Sequence, residues 1–164
     1  MDKILANKTR LIMYEQARQI APMFGYDAAE IANYCTAISY VESTFNPAAK
    51  VKAPNTAKGL MQINNITKTE AEKQLGLPTA SENQMYDSSY NAYLGVYIFC
   101  MRLKKCNGNV KYAVAAYNQG NCSAKARARA AGYVAKWENA LNTMGYYNVA
   151  QNNNAGFSPA RNWY

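Results

Sequence analysis

The sequence contains no histidine. That absence removes Ser-His-Asp and Cys-His nucleophile systems, imidazole acid–base chemistry near neutrality and every histidine-containing metal site. Any proton chemistry falls to carboxylates, Lys, Tyr or Cys. The four cysteines, Cys35, Cys100, Cys106 and Cys122, lack CxxC spacing, so zinc-knuckle and thioredoxin-like readings have no signature, and neither metal nor other cofactor is expected. No segment approaches membrane-spanning length. Met1 to Gln19 carries charges throughout and lacks the uninterrupted apolar stretch and small-residue cleavage site of a standard secretory signal.

What is present is 164 residues of 49% hydrophobic composition, one domain's worth of chain, able to bury about two thirds of its unfolded surface. Charged residues make up only 17%, yet 18 Lys and Arg against 10 Asp and Glu leave a net charge of +8. The resulting field favours polyanionic partners and weakens with salt.

The apolar residues recur mainly with helical period. Leu11, Ile12, Ile20 and Met23 predict an amphipathic helix from about Lys8 to Met23, ended around Pro22 and Gly25. Asp27 with Glu30 resembles a capping box, and Ile31, Cys35 and Ile38 carry a second helix to the stop at Asn46-Pro47. Pro47 to Gly59 reads as a turn-rich basic loop. Thr67 to Glu70 caps a short helix ending at Gly76. Asp87 starts a longer one with Tyr90, Leu94, Ile98 and Met101 on one face and basic residues at its carboxyl end. Asn109 caps a helix to Gln119, and Ser123 starts a last one aligning Ala126, Ala130, Tyr133, Trp137 and Leu141. The expected fold is mainly α, with at most a short hairpin around Pro54 to Ile63. Residues 1–144 form one domain. Residues 145–164 form an Asn-rich, aromatic tail that packs on the domain or on a partner. Cys106 and Cys122 flank a helix and could bridge in an oxidising compartment, whereas Cys35 falls on an apolar face as a small buried hydrophobe.

One carboxylate breaks the apolar pattern. Ile31, Cys35, Ile38 and Glu42 occupy one i, i+4, i+7, i+11 row, so Glu42 stands where an aliphatic side chain belongs. Desolvation there raises a carboxyl pKa toward neutrality, as a general acid working near pH 7 requires; a helix end that releases Glu42 to solvent or to a Lys is the alternative. Glycosidases commonly pair two carboxylates about 5 to 10 Å apart. Glu30, twelve residues earlier on the same helix, is about 18 Å away. Glu70 and Glu72 read as exposed helix charges and Asp87 as a cap, which favours a mechanism with one carboxylate.

Three stretches, Glu42-Ser43-Thr44-Phe45-Asn46-Pro47, Gly59-Leu60-Met61-Gln62-Ile63 and Ala116-Tyr117-Asn118-Gln119-Gly120, resemble in order and separation the signature segments of the soluble lytic transglycosylase family. A fourth, Asp87, Asn91 and Gly95 at four-residue spacing, matches the family's helix between the second and third. The resemblance spans roughly Asp27 to Cys122 and implies a lysozyme-like catalytic domain. It implies Glu42 as the single acid and base that cleaves the β-1,4 bond between N-acetylmuramic acid and N-acetylglucosamine in bacterial peptidoglycan, leaving a 1,6-anhydro end. It places the Tyr117 hydroxyl on the catalytic Glu, Gln62 and Met61 along the sugar site, and Asn118 beside them. Ala53 stands where many members carry Ser before Pro, with Thr56 as the nearest substitute, and the preceding loop is two residues longer than usual.

Two other readings compete. Goose-type lysozyme chemistry would use the same Glu with water as nucleophile, and a non-catalytic basic envelope or nucleic-acid module is motivated by Lys125 to Lys136 and the aromatic tail. No base-reading motif accompanies that charge, so nucleic acid is not an expected partner. By analogy, a wall-degrading enzyme without an export signal suggests a bacteriophage product, carried in a virion or acting in the host periplasm or wall after delivery. A bacterial secretion-associated enzyme is the second possibility. In either case the tail could meet virion or secretion-machine proteins.

Overall fold

The structure, a computed structural model, describes residues 1–53 and 56–145, and among these all the regular elements are helices. Helix α1 spans Lys3–Ile20, with Asp2 accepting hydrogen bonds from the Ile4 and Leu5 amides at its start. A 3-10 turn over Ala21–Phe24, with Pro22 in its first positions and Gly25 at φ 73° ending it, replaces the last turn expected from the sequence. Helix α2, Ala28–Ser43, is capped by Asp27 through the Glu30 amide at 2.9 Å.

Helix α2 is the central rod. Every residue from Ile31 to Ser39 is buried, which makes the helix apolar nearly all round, as a helix inside a bundle must be. Its two hydroxyls there bond back to the helix backbone: Thr36 Oγ1 donates to the Ala32 carbonyl at 2.6 Å and Ser39 Oγ to that of Thr36 at 2.8 Å. Helices α1, α4 (Ser88–Lys105) and α7 (Ala131–Met144) pack around it. Tyr34 lies between Phe99 and Trp137, ring centroids 6.1 and 5.8 Å away, and Trp137 Nε1 donates to the Tyr34 carbonyl.

Helix α3, Asn65–Leu75, begins earlier than its sequence signals suggest, because Asn64, not Thr67, accepts the capping bond. Helix α5, Val110–Gln119, is capped by Asn109 as expected. The helix expected from Ser123 onward is two: α6, Ala124–Arg129, and α7, divided at Ala130, whose amide reaches both Ala126 and Ala128 carbonyls. Ala126, Ala130, Trp137 and Leu141 remain buried through the break. No residue type there announces a stop except Gly132, a poor helix former.

The segment between α2 and α3 forms no strand among its described residues; Lys50 bridges Lys58, and Lys58 bridges Ile63, as isolated pairs. Pro54 and Asn55 lie outside the described residues, as does the expected packing of the tail from Tyr146 onward. Cys106 and Cys122 form a disulfide, Cα atoms 5.7 Å apart, that closes the two ends of α5 on each other. Cys35 and Cys100 are free and buried. No helix among the described residues is long and apolar enough to cross a membrane.

One sequence expectation is reversed. Glu72 is buried at 2% exposure, with Oε1 accepting from the Ala80 amide and the Tyr90 hydroxyl and Oε2 paired with Lys68 at 3.2 Å. It closes α3 onto α4 and is fully engaged there. Glu70 is exposed, as its sequence position suggested.

Candidate active site

Glu42 lies in the last turn of α2, where the chain leaves the core. The helix ends in two successive left-handed non-glycine residues, Thr44 at φ 55° and Phe45 at φ 64°. A bulky residue holds that conformation only when its surroundings fix it. Phe45 is buried and its ring sits 5.3 Å from that of Tyr40. Ser43 Oγ donates to the Leu60 carbonyl at 2.7 Å, tying the end of α2 to the loop that carries Met61 and Gln62.

That loop is held from behind by α4. Asn91, fully buried, accepts from the Met61 amide at 2.8 Å and donates to the Lys58 and Met85 carbonyls. Gly59, at φ 78°, lies so close that a Cβ would strike the Asn91 side chain and the Met85 carbonyl, and a Cβ on Gly95 would strike Met61 Sδ. These contacts explain why Asp87, Asn91 and Gly95 recur at one-turn spacing: Asp87 caps α4 through the Tyr90 amide, and the other two form its loop-facing side.

The Glu42 carboxyl is pushed up to about 7 from an ordinary 4.5, chiefly because burial disfavours its charged form. The opposing influence is a hydrogen bond from the Tyr133 hydroxyl to Oε1, 2.6 Å long. Tyr133 itself is pushed well above its ordinary value, first by burial and then by the Glu42 charge, so it stays a donor. Oε1 is thus engaged by Tyr133, and no described residue forms a hydrogen bond with Oε2. The residue that reaches the carboxyl is therefore Tyr133, not Tyr117 as the resemblance implies. Tyr117 donates instead to the Met61 carbonyl at 2.9 Å, linking α5 to the loop. Burial raises its pKa well above the ordinary value, and the Glu42 charge adds to the effect.

Gln62 spends both amide hydrogens on the Ala49 and Gly59 carbonyls, at 3.0 and 2.9 Å. Its Oε1 accepts no hydrogen bond from a described residue. Gln62 and Tyr117 share a shallow depression with Ile63, Thr67 and Ile98. Met61 has no exposed surface; its side chain packs against Gly95, and its main chain joins Asn91 to Tyr117. Asn118 is exposed, with Oδ1 accepting from Gln119. Tyr133 was legible only as one member of an apolar row. The available clue was the hydroxyl it brings to a dry face, where a buried carboxyl needs a donor.

Comparison with known proteins identifies the family. The family described as "Transglycosylase SLT domain" matches residues 24–140, a span that contains every residue just placed. The soluble lytic murein transglycosylase of Escherichia coli K12 is 36% identical over 89 residues, 54% of this chain and 14% of that protein; its Salmonella typhimurium counterpart is 35% identical over the same length. The chain thus spans a small part of the curated relatives it matches. Among solved structures, the 70-kDa soluble lytic transglycosylase of Escherichia coli superposes with a TM-score of 0.51 at 28% identity, over 78% of this chain and 22% of that one. An inactive mutant of lytic transglycosylase Slt from Pseudomonas aeruginosa superposes at 0.58 with 22% identity, over 94% and 25%, and supports the fold. With the signature stretches assembled around one half-buried carboxyl and the family matched over most of the chain, the protein belongs to the SLT transglycosylase domain family.

Proposed function

We propose that this chain is a peptidoglycan lytic transglycosylase that cleaves the β-1,4 bond between N-acetylmuramic acid and N-acetylglucosamine with Glu42 as its only acid and base. The observation that carries the proposal is the Glu42 carboxyl, poised near 7 and held by Tyr133 with Oε2 left for the substrate. Protonated Oε2 gives its proton to the bridging oxygen as the C1–O bond breaks, and the departing sugar leaves as an alcohol. The resulting carboxylate then takes the proton of the muramyl C6 hydroxyl, whose oxygen bonds to C1 of the same ring. Glu42 ends as it began, and no water is consumed.

An intramolecular nucleophile explains how one carboxylate suffices, since proximity supplies what a second carboxylate would otherwise position. In this reading Gln62 Oε1 and the exposed Asn118 side chain meet sugar hydroxyls and amides, while Tyr117 and Met61 hold the loop that carries Gln62. The net charge of +8 favours retention on a wall rich in stem-peptide carboxylates. The Cys106–Cys122 disulfide is consistent with action in an oxidising compartment outside the cytoplasm.

Mass spectrometry of digested sacculi tests the reading. Muropeptides ending in 1,6-anhydro-muramic acid, eighteen mass units below their hydrated counterparts as expected for the loss of one water, support it. Reducing muramic ends from the same digest would assign the chain to hydrolysis with water as nucleophile.

A further inference from the structure

Helix α1 carries two apolar faces where the core uses one. Met13, Ala17 and Ile20 are buried, with Thr9 and Gln16 among them. Ile4, Asn7, Leu11 and Tyr14 follow one another at helical spacing and form a second row along the helix. Nine positions, or two and a half turns, separate Ile4 from Met13, so this row lies opposite the core. It is open to water: Ile4 is 71% exposed, Leu11 65% and Tyr14 37%. Single exposed apolar side chains need no explanation, but three in register on one helix face mark a contact surface.

The end of α7 lies beside the start of this row. Both α1 and α7 pack on α2, and a cleft of about 280 Å³ opens between them, lined by Lys3, Ala6 and Asn7 on one side and by residues 142–145 on the other. Asn7 belongs to the cleft and to the row, so the two are continuous. The chain leaves the described residues at Gly145, on the edge of that cleft. Residues 146–164 follow directly, with Tyr146, Tyr147, Phe157, Trp163 and Tyr164 among them and Arg161 as their single charged side chain. From Ile4 to Tyr14 the row is about 15 Å long, and the stretch from Tyr147 to Phe157 reaches about 33 Å when extended. The segment can therefore run the whole row. Another apolar groove, lined by Tyr112, Ala115 and Val134, already has partners of its own: Arg127 lies 4.0 Å over the Tyr112 ring, and Lys111 pairs with Glu138 beside it.

We propose that residues 146–164 dock on the outer face of α1, with Tyr146 and Tyr147 at the cleft between α1 and α7 and Phe157 over Leu11 and Tyr14. The apolar side chains of helix and segment then leave water together, and the segment's Asn side chains meet Asn7, Asn142 and Thr143 at the cleft. Both partners lie outside residues 24–140, the span matched by the family. They are additions at either end of the family domain that meet on one side of it, and their contact is independent of the glycan-cleaving reading.

Chymotryptic cleavage after Phe157 is followed by mass spectrometry in the full chain, for the wild type, Ile4→Ser, Leu11→Ser and Tyr112→Ser, beside a synthetic peptide of residues 146–164. At low protease a docked segment is cut only while undocked, so the rate reads the undocked fraction. The wild type should be cut at least about tenfold more slowly than the peptide. Leu11→Ser should be cut about tenfold faster than the wild type, the scale of one large apolar side chain returned to water. Ile4→Ser should move the rate in the same direction, and Tyr112→Ser should leave it within about twofold. Ile4 and Leu11 take no part in the described core, so neither variant empties it, and circular dichroism verifies the helices. A wild type cut as fast as the peptide overturns the docking. So does protection lost in Tyr112→Ser but kept in Leu11→Ser, and so does protection that vanishes on tenfold dilution, which would assign the face to a second copy of the chain.

Discussion

The Tyr133 hydroxyl donates a 2.6 Å hydrogen bond to Glu42 Oε1, joining the start of α7 to the end of α2 across 91 positions of sequence. This bond engages Oε1 and moderates the pKa that burial raises. It makes α7 part of the site, although none of the quoted signature stretches lies on that helix.

Tyr133→Phe removes the donor without emptying the space. Because the hydrogen bond lowers the Glu42 pKa, its loss moves that pKa upward. The alkaline limb of the kcat/KM profile, where the acid loses its proton, should shift to higher pH. The maximum should fall roughly 10- to 100-fold, the scale of a hydrogen bond to a charged group. A pH–rate profile of the variant checks both, and an unmoved limb would separate Tyr133 from the titration of Glu42.

Stability should respond to the same carboxyl. With a pKa near 7 folded and 4.5 as its ordinary value, Glu42 in the folded chain keeps a proton that the unfolded chain releases between those pH values. The slope of unfolding free energy with pH is therefore negative there: the contribution is full below about 4.5 and is lost as pH rises through about 7. Glu42→Gln, which cannot ionise, should be more stable than wild type at pH 8, by up to about 3 kcal/mol. The difference should shrink at pH 5. Thermal unfolding of both proteins at the two pH values measures it.

Asn91→Ala should separate the loop from α4. It removes the acceptor for the Met61 amide and the donors to the Lys58 and Met85 carbonyls, all buried. A loss of roughly 2 to 4 kcal/mol in unfolding free energy is expected. Activity should fall further than that of a surface variant of equal stability, because Gln62 and the Tyr117 contact ride on the same loop. Denaturant unfolding beside a rate assay reads both.

Much of this architecture was legible locally. Asp27, Asp87, Asn109 and Ser123 all cap the helices they precede, because capping is decided within three residues. Glu42 stood out because a carboxylate interrupted an apolar row. What escaped was decided by tertiary contact. The burial of Glu72 depends on Tyr90, Lys68 and Ala80 converging on it. Tyr133 looked like a packing aromatic because its partner lies on a helix far away in sequence. The break at Ala130 has no strong local marker, yet it divides the final helical segment just before Tyr133.

The cysteines make a prediction independent of catalysis. With Cys106 and Cys122 bridged, and Cys35 and Cys100 free and buried, the denatured unreduced protein should show two reactive thiols and the reduced protein four. The native protein should show almost none, since burial raises both free thiol pKa values. Replacing both Cys106 and Cys122 by Ser should lower stability by about 3 kcal/mol, as expected for a loop of this length.

The most direct measurement is the turnover of purified peptidoglycan by Glu42→Gln beside the wild type, with folding of the variant established by its thermal unfolding at pH 8. The account predicts a folded protein at least as stable as the wild type whose turnover is down about a thousandfold or more, since the same group serves both proton transfers. A folded Glu42→Gln that still cleaves within about tenfold of the wild-type rate would show that the proton comes from elsewhere.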